Sequence, residues 1–232
     1  MKLSKKILFI ILFSFALNIH LSYAQEQAVT QTLESQQKTS PTDALQMLKD
    51  GNQRFIDSNM NHRDLLEQVK ATAKGQYPYA VVLSCIDSRV APELVFDQGI
   101  GDIFDVRIAG NFVNEDILGS LEFACKVSGA KLILVMGHTN CGAIKGAIDN
   151  VQLGNLTGML DKIKPSVEKT KYDGLKSSKN HAYVDLVSKE NILRSIELIK
   201  QSSTVLKEML EKGEISIAGC MYDLDTGTVE FY

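Results

Sequence analysis

The sequence predicts an α/β protein with a mainly parallel central β-sheet flanked by helices and an N-terminal helical arm. Three apolar runs, at 79–84, 103–108 and 132–136, are typical of buried strands. An amphipathic stretch separates the second run from the third. Apolar strands joined by helices favour a parallel sheet, and the continuous third run is expected at its centre.

The composition is that of an ordinary globular chain. It has 232 residues, of which 44% are hydrophobic and 23% are charged, and its net charge is −3. These values exclude a disordered or disulfide-dense protein and favour one domain, expected over 40–232. No basic stripe with interleaved aromatic residues is present, so nucleic acid is not expected as a partner.

The first 24 residues have the layout of a secretory signal peptide. Lysines precede an apolar run at 7–19, and small residues at Ser22 and Ala24 predict a cleavage site. A membrane anchor is the alternative, but the run is shorter than the roughly 20 residues that a span needs. The sequence therefore predicts an exported, periplasmic protein with no membrane span after processing.

Two helices are expected to form the N-terminal arm. Residues 25–39 are polar and predict a flexible lead-in. Ser40 as N-cap and Pro41 at the first helical position predict a helix start, and Gly51 predicts the end of that helix. The apolar spacing predicts a second helix over 63–74.

The remaining elements follow in order along the chain. Apolar periodicity predicts helices over 115–128, 143–150 and 191–212. The last two strands are expected over 215–222 and 229–232, joined by a turn. In a sheet of this kind, functional sites form beyond the carboxyl ends of the strands.

Two loops at that edge of the sheet carry chemically useful side chains. Cys85, Asp87 and Arg89 follow the first strand, and His138 and Cys141 follow the third. Two thiolates, an imidazole and a carboxylate are donors that suit Zn²⁺ in tetrahedral geometry. The two loops therefore predict a zinc site.

Simpler interpretations exist for each of these residues. In an exported protein Cys85 and Cys141 could form a disulfide. His138 alone could be a satisfied core histidine, and Asp87 with Arg89 could be a structural ion pair. The occurrence of all of them in two equivalent loops favours the metal site.

The motifs Cys-x-Asp-x-Arg and His-x-x-Cys together resemble those of the β-class carbonic anhydrases. The resemblance extends from ALQMLKDGNQRF at 44–55 to the last strand. It includes SCIDSRVAPELVFDQGIGDIFDVRIAGNFV at 84–113 and LILVMGHTNCGAIKGA at 132–147. It thus covers most of the chain after the signal peptide and implies the fold of that family.

The resemblance also implies roles for individual residues. One zinc ion per chain is expected on Cys85, His138 and Cys141, with water in the fourth position. Asp87 is an alternative fourth ligand in an inactive form, and Arg89 pairs with Asp87 and draws it off the metal. The substrate pocket, which lies at a dimer interface in this family, is expected to include Gln76, Phe104 and Phe123. Phe123 stands where family members often have Tyr, so a hydroxyl is absent there.

The implied function is the reversible hydration of carbon dioxide to bicarbonate and a proton. The nucleophile is zinc-bound hydroxide oriented by the Asp87–Arg89 dyad, and the expected assembly is a homodimer or homotetramer. Since the chain has no Trp, it resembles the subclass without an inhibitory bicarbonate site. Alternatives are hydrolysis of carbon disulfide or carbonyl sulfide, a non-catalytic zinc module and a thiol redox protein.

Two further cysteines are not part of the motifs. Cys125 falls in a predicted helix and Cys220 in a predicted strand. Both are expected to be small buried hydrophobic residues, although a disulfide between them is an alternative.

Overall fold

A five-stranded sheet forms the centre of the computed structural model, which describes residues 30–232. The signal peptide predicted for 1–24 lies outside the described residues. The strands are β1 (Ala80–Ser84), β2 (Ile103–Arg107), β3 (Leu132–His138), β4 (Ser216–Tyr222) and β5 (Val229–Phe231). Their order is β2-β1-β3-β4-β5, and only β5 runs antiparallel to its neighbour. The prediction of a mainly parallel sheet with the third strand at its centre is confirmed.

Helices surround this sheet. Before β1 lie α1 (Leu33–Lys38), α2 (Pro41–Ile56) and α3 (Leu65–Thr72). Between β1 and β3 lie α4 (Pro92–Val95) and α5 (Glu115–Glu122), and a π-helical turn at Phe123–Val127 extends α5. Between β3 and β4 lie α6 (Gly142–Ile148), α7 (Gly154–Asp161), α8 (Lys164–Lys169), α9 (His181–Ser202) and α10 (Thr204–Glu211).

Each face of the sheet has its own apolar layer because side chains alternate along a strand. In β1, Val81 and Leu83 pack with α5, α9 and α10, whereas Val82 packs with α2 on the other face. Cys125 belongs to the first layer and Cys220 to the second, and both are buried free thiols. The sheet separates them, so the expectation of two small buried hydrophobic residues is correct and the alternative disulfide is not formed.

The helix end predicted at Gly51 is wrong, because α2 continues to Ile56. A Cβ atom on Gly51 would lie 1.8 Å from the carbonyl oxygen of Phe96. Glycine at this position therefore permits close packing of α2 against the segment after α4, and it does not terminate the helix.

The flexible lead-in predicted for 25–39 is wrong for its last part, which forms α1. Thr32 caps this helix in a reciprocal capping box with Ser35. The buried side chain of Gln36 donates hydrogen bonds to the carbonyl oxygens of Pro78 (2.7 Å) and Ser128 (2.8 Å). These two bonds fix α1 to the amino-terminal edge of the sheet.

The single helix predicted over 191–212 is two helices that meet at Ser203. The Ser203 hydroxyl accepts a hydrogen bond from the Leu206 N–H and so caps α10. The same hydroxyl donates to Glu122 at 2.5 Å. Apolar periodicity continues across the junction, which explains why the sequence pattern did not indicate the break. Among the described helices none is both long enough and apolar enough to cross a bilayer.

A buried carboxylate joins the N-terminal arm to the segment after α4. Asp97 is fully buried and accepts hydrogen bonds from Arg54 (2.5 Å), Arg63 and the Asn61 N–H (3.1 Å). Burial alone would raise the pKa of Asp97, but these bonds outweigh burial and hold the pKa below its usual range. Asp97 has φ of +48°, a conformation that Asp and Asn tolerate better than most residues.

We expect Asp97→Asn to lower the free energy of unfolding at pH 7 by about 3 kcal/mol, because it removes one partner of a buried ion pair. The folded-state pKa of Asp97 lies below the unfolded value, so the carboxylate stabilises the fold above that unfolded value. This contribution is lost as the pH falls through the folded-state pKa, and the two proteins should converge in acid. Urea unfolding at several pH values measures both effects. Glu34→Gln, which breaks an exposed pair with Lys38, is the control and should cost less than about 1 kcal/mol. A pH-independent difference would contradict the assignment.

Candidate metal centre

The pairing of β1 with β3 brings the two predicted loops together. Leu83 lies opposite Val135 in this parallel pair, so Cys85 and His138 are at the same edge of the sheet. Cys141 occupies the N-cap position of α6, directly after the turn that follows β3. The three side chains are buried, and Cys85 and Cys141 belong to an apolar cluster that includes Ile144 and Val184.

Three potential metal ligands converge at this edge. The Sγ atoms of Cys85 and Cys141 and a ring nitrogen of His138 all lie within 4.8 Å of one another. The two sulfur atoms are 4.0 Å apart, whereas a disulfide bond measures about 2.05 Å. Both cysteines are free thiols, so the alternative disulfide is not formed.

The tautomer of His138 leaves one ring nitrogen available. Nδ1 lies 2.9 Å from the carbonyl oxygen of Thr139. Since a carbonyl oxygen only accepts hydrogen bonds, Nδ1 carries a proton, and in the neutral imidazole Nε2 then has a free lone pair. Nε2 is buried and has no hydrogen-bond partner among residues 30–232. A buried acceptor without a donor is costly, and a cation between Nε2 and the two sulfur atoms would satisfy it.

The two thiols share one negative charge. A hydrogen bond from the Cys141 thiol is the main cause that lowers the pKa of Cys85 well below its usual range; burial opposes this effect, and the Gly110 N–H adds to it. The same hydrogen bond, followed by burial, raises the pKa of Cys141 far above its usual range. A divalent cation would displace the remaining proton, because thiolates and not thiols bind metals.

Asp87 and Arg89 form a bidentate ion pair beside the three donors. Arg89 Nε donates to Asp87 Oδ1 at 2.9 Å, and Arg89 Nη2 donates to Oδ2 at 2.7 Å. The guanidinium holds the pKa of Asp87 far below its usual range. Arg107 at the end of β2 donates to the carbonyl oxygens of Cys85 (3.0 Å) and Asp87 (2.7 Å) and so supports this loop. Nothing in the local sequence pattern indicated this role for Arg107.

A second supporting contact reaches the turn before Cys141. The N–H of Asn140, which has φ of +59°, donates to Asp185 Oδ1 on α9 at 2.9 Å. Asp185 lies 45 residues further along the chain, so sequence spacing could not identify it. The contact holds the turn between His138 and Cys141 in its left-handed conformation.

The three predicted pocket residues lie away from these donors within one chain. Phe104 is opposite Val81, four residues before Cys85, which corresponds to about 13 Å along the strand. Phe104 and Phe123 pack edge to face with ring centroids 6.3 Å apart, and they line an open groove of about 920 Å³ along β2. Gln76 is exposed before β1. The chain therefore groups the two aromatic residues but does not bring them to its own Cys–His–Cys cluster.

Several known proteins resemble this chain in sequence. The sequence model of the carbonic anhydrase family matches residues 80–229. Carbonic anhydrase 2 of Mycobacterium tuberculosis is 35% identical over 195 residues, which cover 82% of this chain and 91% of that protein. The carbonic anhydrase of Mycolicibacterium smegmatis is 34% identical and covers 83% of this chain and 93% of that protein.

A solved structure agrees with the sequence comparisons. The β-carbonic anhydrase CcaA superposes with a TM-score of 0.64 at 29% identity, covering 81% of this chain and 94% of that chain. The family match spans most of the sheet and both loops that carry Cys85, His138 and Cys141. The chain belongs to the β-class carbonic anhydrase family.

Proposed function

We propose that this protein catalyses the zinc-dependent, reversible hydration of carbon dioxide to bicarbonate and a proton. The observation that carries the proposal is the buried Cys85–His138–Cys141 cluster, in which the His138 Nε2 lone pair has no partner among the described residues. Carbonic anhydrase activity itself follows from the family to which the chain belongs.

The donor set fits zinc. Cys85 and Cys141 supply two thiolates, and His138 supplies a neutral nitrogen, which is a common ligand combination for this ion. Three protein ligands leave one coordination position for water or substrate, as in other catalytic zinc sites. When bound, zinc is a Lewis acid that lowers the pKa of a coordinated water to about 7.

Asp87 and Arg89 would orient the reacting groups. The Asp87 carboxylate is ionised and partly accessible, so it can accept a hydrogen bond from the nucleophile and direct a lone pair at the carbon atom. Arg89 holds both carboxylate oxygens and so keeps Asp87 from acting as a fourth ligand. In this arrangement Asp87 would contact the attacking oxygen, whereas Arg89 would act through Asp87.

We also propose that the site is completed by a second copy of the chain, in a homodimer or a homotetramer. Gln76, Phe104 and Phe123 are near the amino ends of the strands, far from the metal donors of their own chain. From a second copy, the aromatic pair would give an apolar wall for an uncharged gas, and Gln76 would donate to a substrate oxygen. The edge strand β2, along which the groove runs, is available for such a contact.

We also propose that the protein is exported from the cytoplasm. The basic start, the apolar run at 7–19 and the small residues Ser22 and Ala24 support a signal peptide over 1–24. The enzyme would then act outside the inner membrane, in the periplasm.

Cys85→Ser should abolish stoichiometric zinc binding, because a serine hydroxyl is a much poorer zinc ligand than a thiolate. Metal analysis of the purified protein should fall from one zinc per chain to nearly none. Cys125→Ser replaces a buried free thiol outside the cluster and should retain the metal. A Cys85→Ser protein with full zinc content would contradict the ligand assignment.

Arg89→Ala should reduce the rate of carbon dioxide hydration about 10- to 100-fold, which is the usual effect of losing a residue that orients a group beside the metal. The unpaired Asp87 can then compete for the open coordination position. Stopped-flow hydration measures the rate, and zinc content should stay at one per chain. Lys207→Ala removes an exposed cation on α10 and is the control. Undiminished activity of Arg89→Ala would refute the role of the pair.

Co-expression of two defective chains tests the composite site. The Cys85→Ser chain lacks a metal ligand, and the Gln76→Ala chain lacks a pocket residue. If each pocket combines the metal ligands of one chain with Gln76 of the other, a mixed dimer contains one complete site and one site with both defects. Random pairing in a two-fold symmetric dimer should restore about a quarter of the wild-type sites. Stopped-flow activity no greater than the mean of the two separate variants would show that each chain completes its own pocket.

A further inference from the structure

A buried chain of hydrogen bonds connects α9 to the thiol of Cys85. The Gly110 N–H donates to Cys85 Sγ at 3.3 Å. On its other side, the Gly110 carbonyl oxygen accepts a hydrogen bond from Asn191 Nδ2 at 2.8 Å. All three residues are buried. Asn191 is therefore linked to the predicted metal ligand Cys85 through Gly110. Asn191 and Gly110 are 81 positions apart in the sequence.

The amide of Asn191 has one defined orientation. The Gly110 carbonyl can only accept, so the amide nitrogen must face it. The amide oxygen accepts a hydrogen bond from Ser166 Oγ at 3.2 Å. Asn191 is 2% exposed and Ser166 is fully buried. Since both ends of the amide are bound and shielded from water, the contact to Gly110 is a fixed part of the site.

The backbone that Asn191 holds is in an uncommon conformation. Gly110 has φ of +76° and Asn111 has φ of +39°, so two consecutive residues are left-handed. A Cβ atom on Gly110 would lie 2.5 Å from Ile163 Cδ1. Ser195, one helical turn after Asn191, donates to the Asn111 carbonyl oxygen at 3.1 Å. Two side chains of α9 thus hold the two carbonyl groups of this turn.

We propose that Asn191 is a positioning residue for the metal ligand Cys85, because it holds Gly110 so that its N–H donates to the thiolate. This inference rests on the proposed function, since it requires that Cys85 bind a metal. An N–H group on a thiolate withdraws electron density from sulfur and fixes its direction. Two thiolates would otherwise neutralise most of the charge of a divalent ion, so the hydrogen bond preserves its Lewis acidity.

Asn52 is a matched control for the general effect of replacing a buried asparagine. It is 5% exposed, and its Nδ2 donates to the carbonyl oxygens of Val95 (3.1 Å) and Gly227 (3.0 Å). Its Oδ1 accepts from the Val229 N–H at 3.0 Å. The side chain is as well satisfied as that of Asn191, but it has no contact with the turn at Gly110.

The test uses full-length protein loaded with Co²⁺, whose sulfur-to-metal charge-transfer band reports electron donation by the thiolates. Asn191→Asp replaces the donor amide by an acceptor of the same shape, so the Gly110 turn should relax. We expect the band to move to longer wavelength, because a sulfur without the N–H contact is a better electron donor. Competition with a chelator should show about tenfold weaker metal binding. Asn52→Asp should leave the band and the affinity unchanged, even where it lowers stability.

Asn191→Ala keeps the inference testable if Asn191→Asp does not fold, because it removes the donor without placing a carboxylate against the Gly110 carbonyl. The same band shift is expected for this variant. An unshifted band with unchanged metal affinity in the Asn191 variants, or an equal band shift in Asn52→Asp, would overturn this inference and leave the proposed function standing. A missing sulfur-to-cobalt band in the unmodified protein would overturn the proposed function and the inference with it.

Discussion

Parallel pairing of β1 with β3 is the constraint on which the rest of the site depends. The two strands place Cys85 and His138 side by side at one edge of the sheet, and the turn after β3 returns the chain so that Cys141 joins them. Sites at the carboxyl ends of parallel strands are common because loops from neighbouring strands converge there. Here the packing of two apolar layers against the sheet holds this pairing in register.

The cost of burying charge explains the chemistry of the cluster. Two thiols and an imidazole lie among apolar side chains such as Ile144 and Val184, where an unpaired charge is expensive. Cys85 and Cys141 share a proton, and the lone pair of His138 Nε2 has no donor among the described residues. A divalent ion bound here would balance both thiolates and satisfy the imidazole, so metal binding and folding should be thermodynamically linked.

Local patterns predicted the elements that carry the ligands but not the contacts that support them. Continuous apolar runs identified β1, β2 and β3, and the two motifs identified the three donors and the Asp87–Arg89 pair. The anchoring of α1 by Gln36 depends on carbonyl groups 42 and 92 residues away, which no local spacing reveals. Glycine is typical of a helix end, so the sequence predicts one at Gly51; the close approach of Gly51 to Phe96, which explains the glycine, is a tertiary contact. From the sequence, Asn191 is only the first residue of a predicted amphipathic helix, because its contact with Gly110 also appears only in the folded chain.

X-ray absorption at the zinc edge of the purified protein tests the central claim most directly, because it reports the atoms bound to the metal. The account predicts one zinc ion per chain with two sulfur ligands at about 2.3 Å and two nitrogen or oxygen ligands at about 2.0 Å. A spectrum without sulfur ligands would contradict it. So would a metal-free protein in which Cys85 and Cys141 are joined by a disulfide bond.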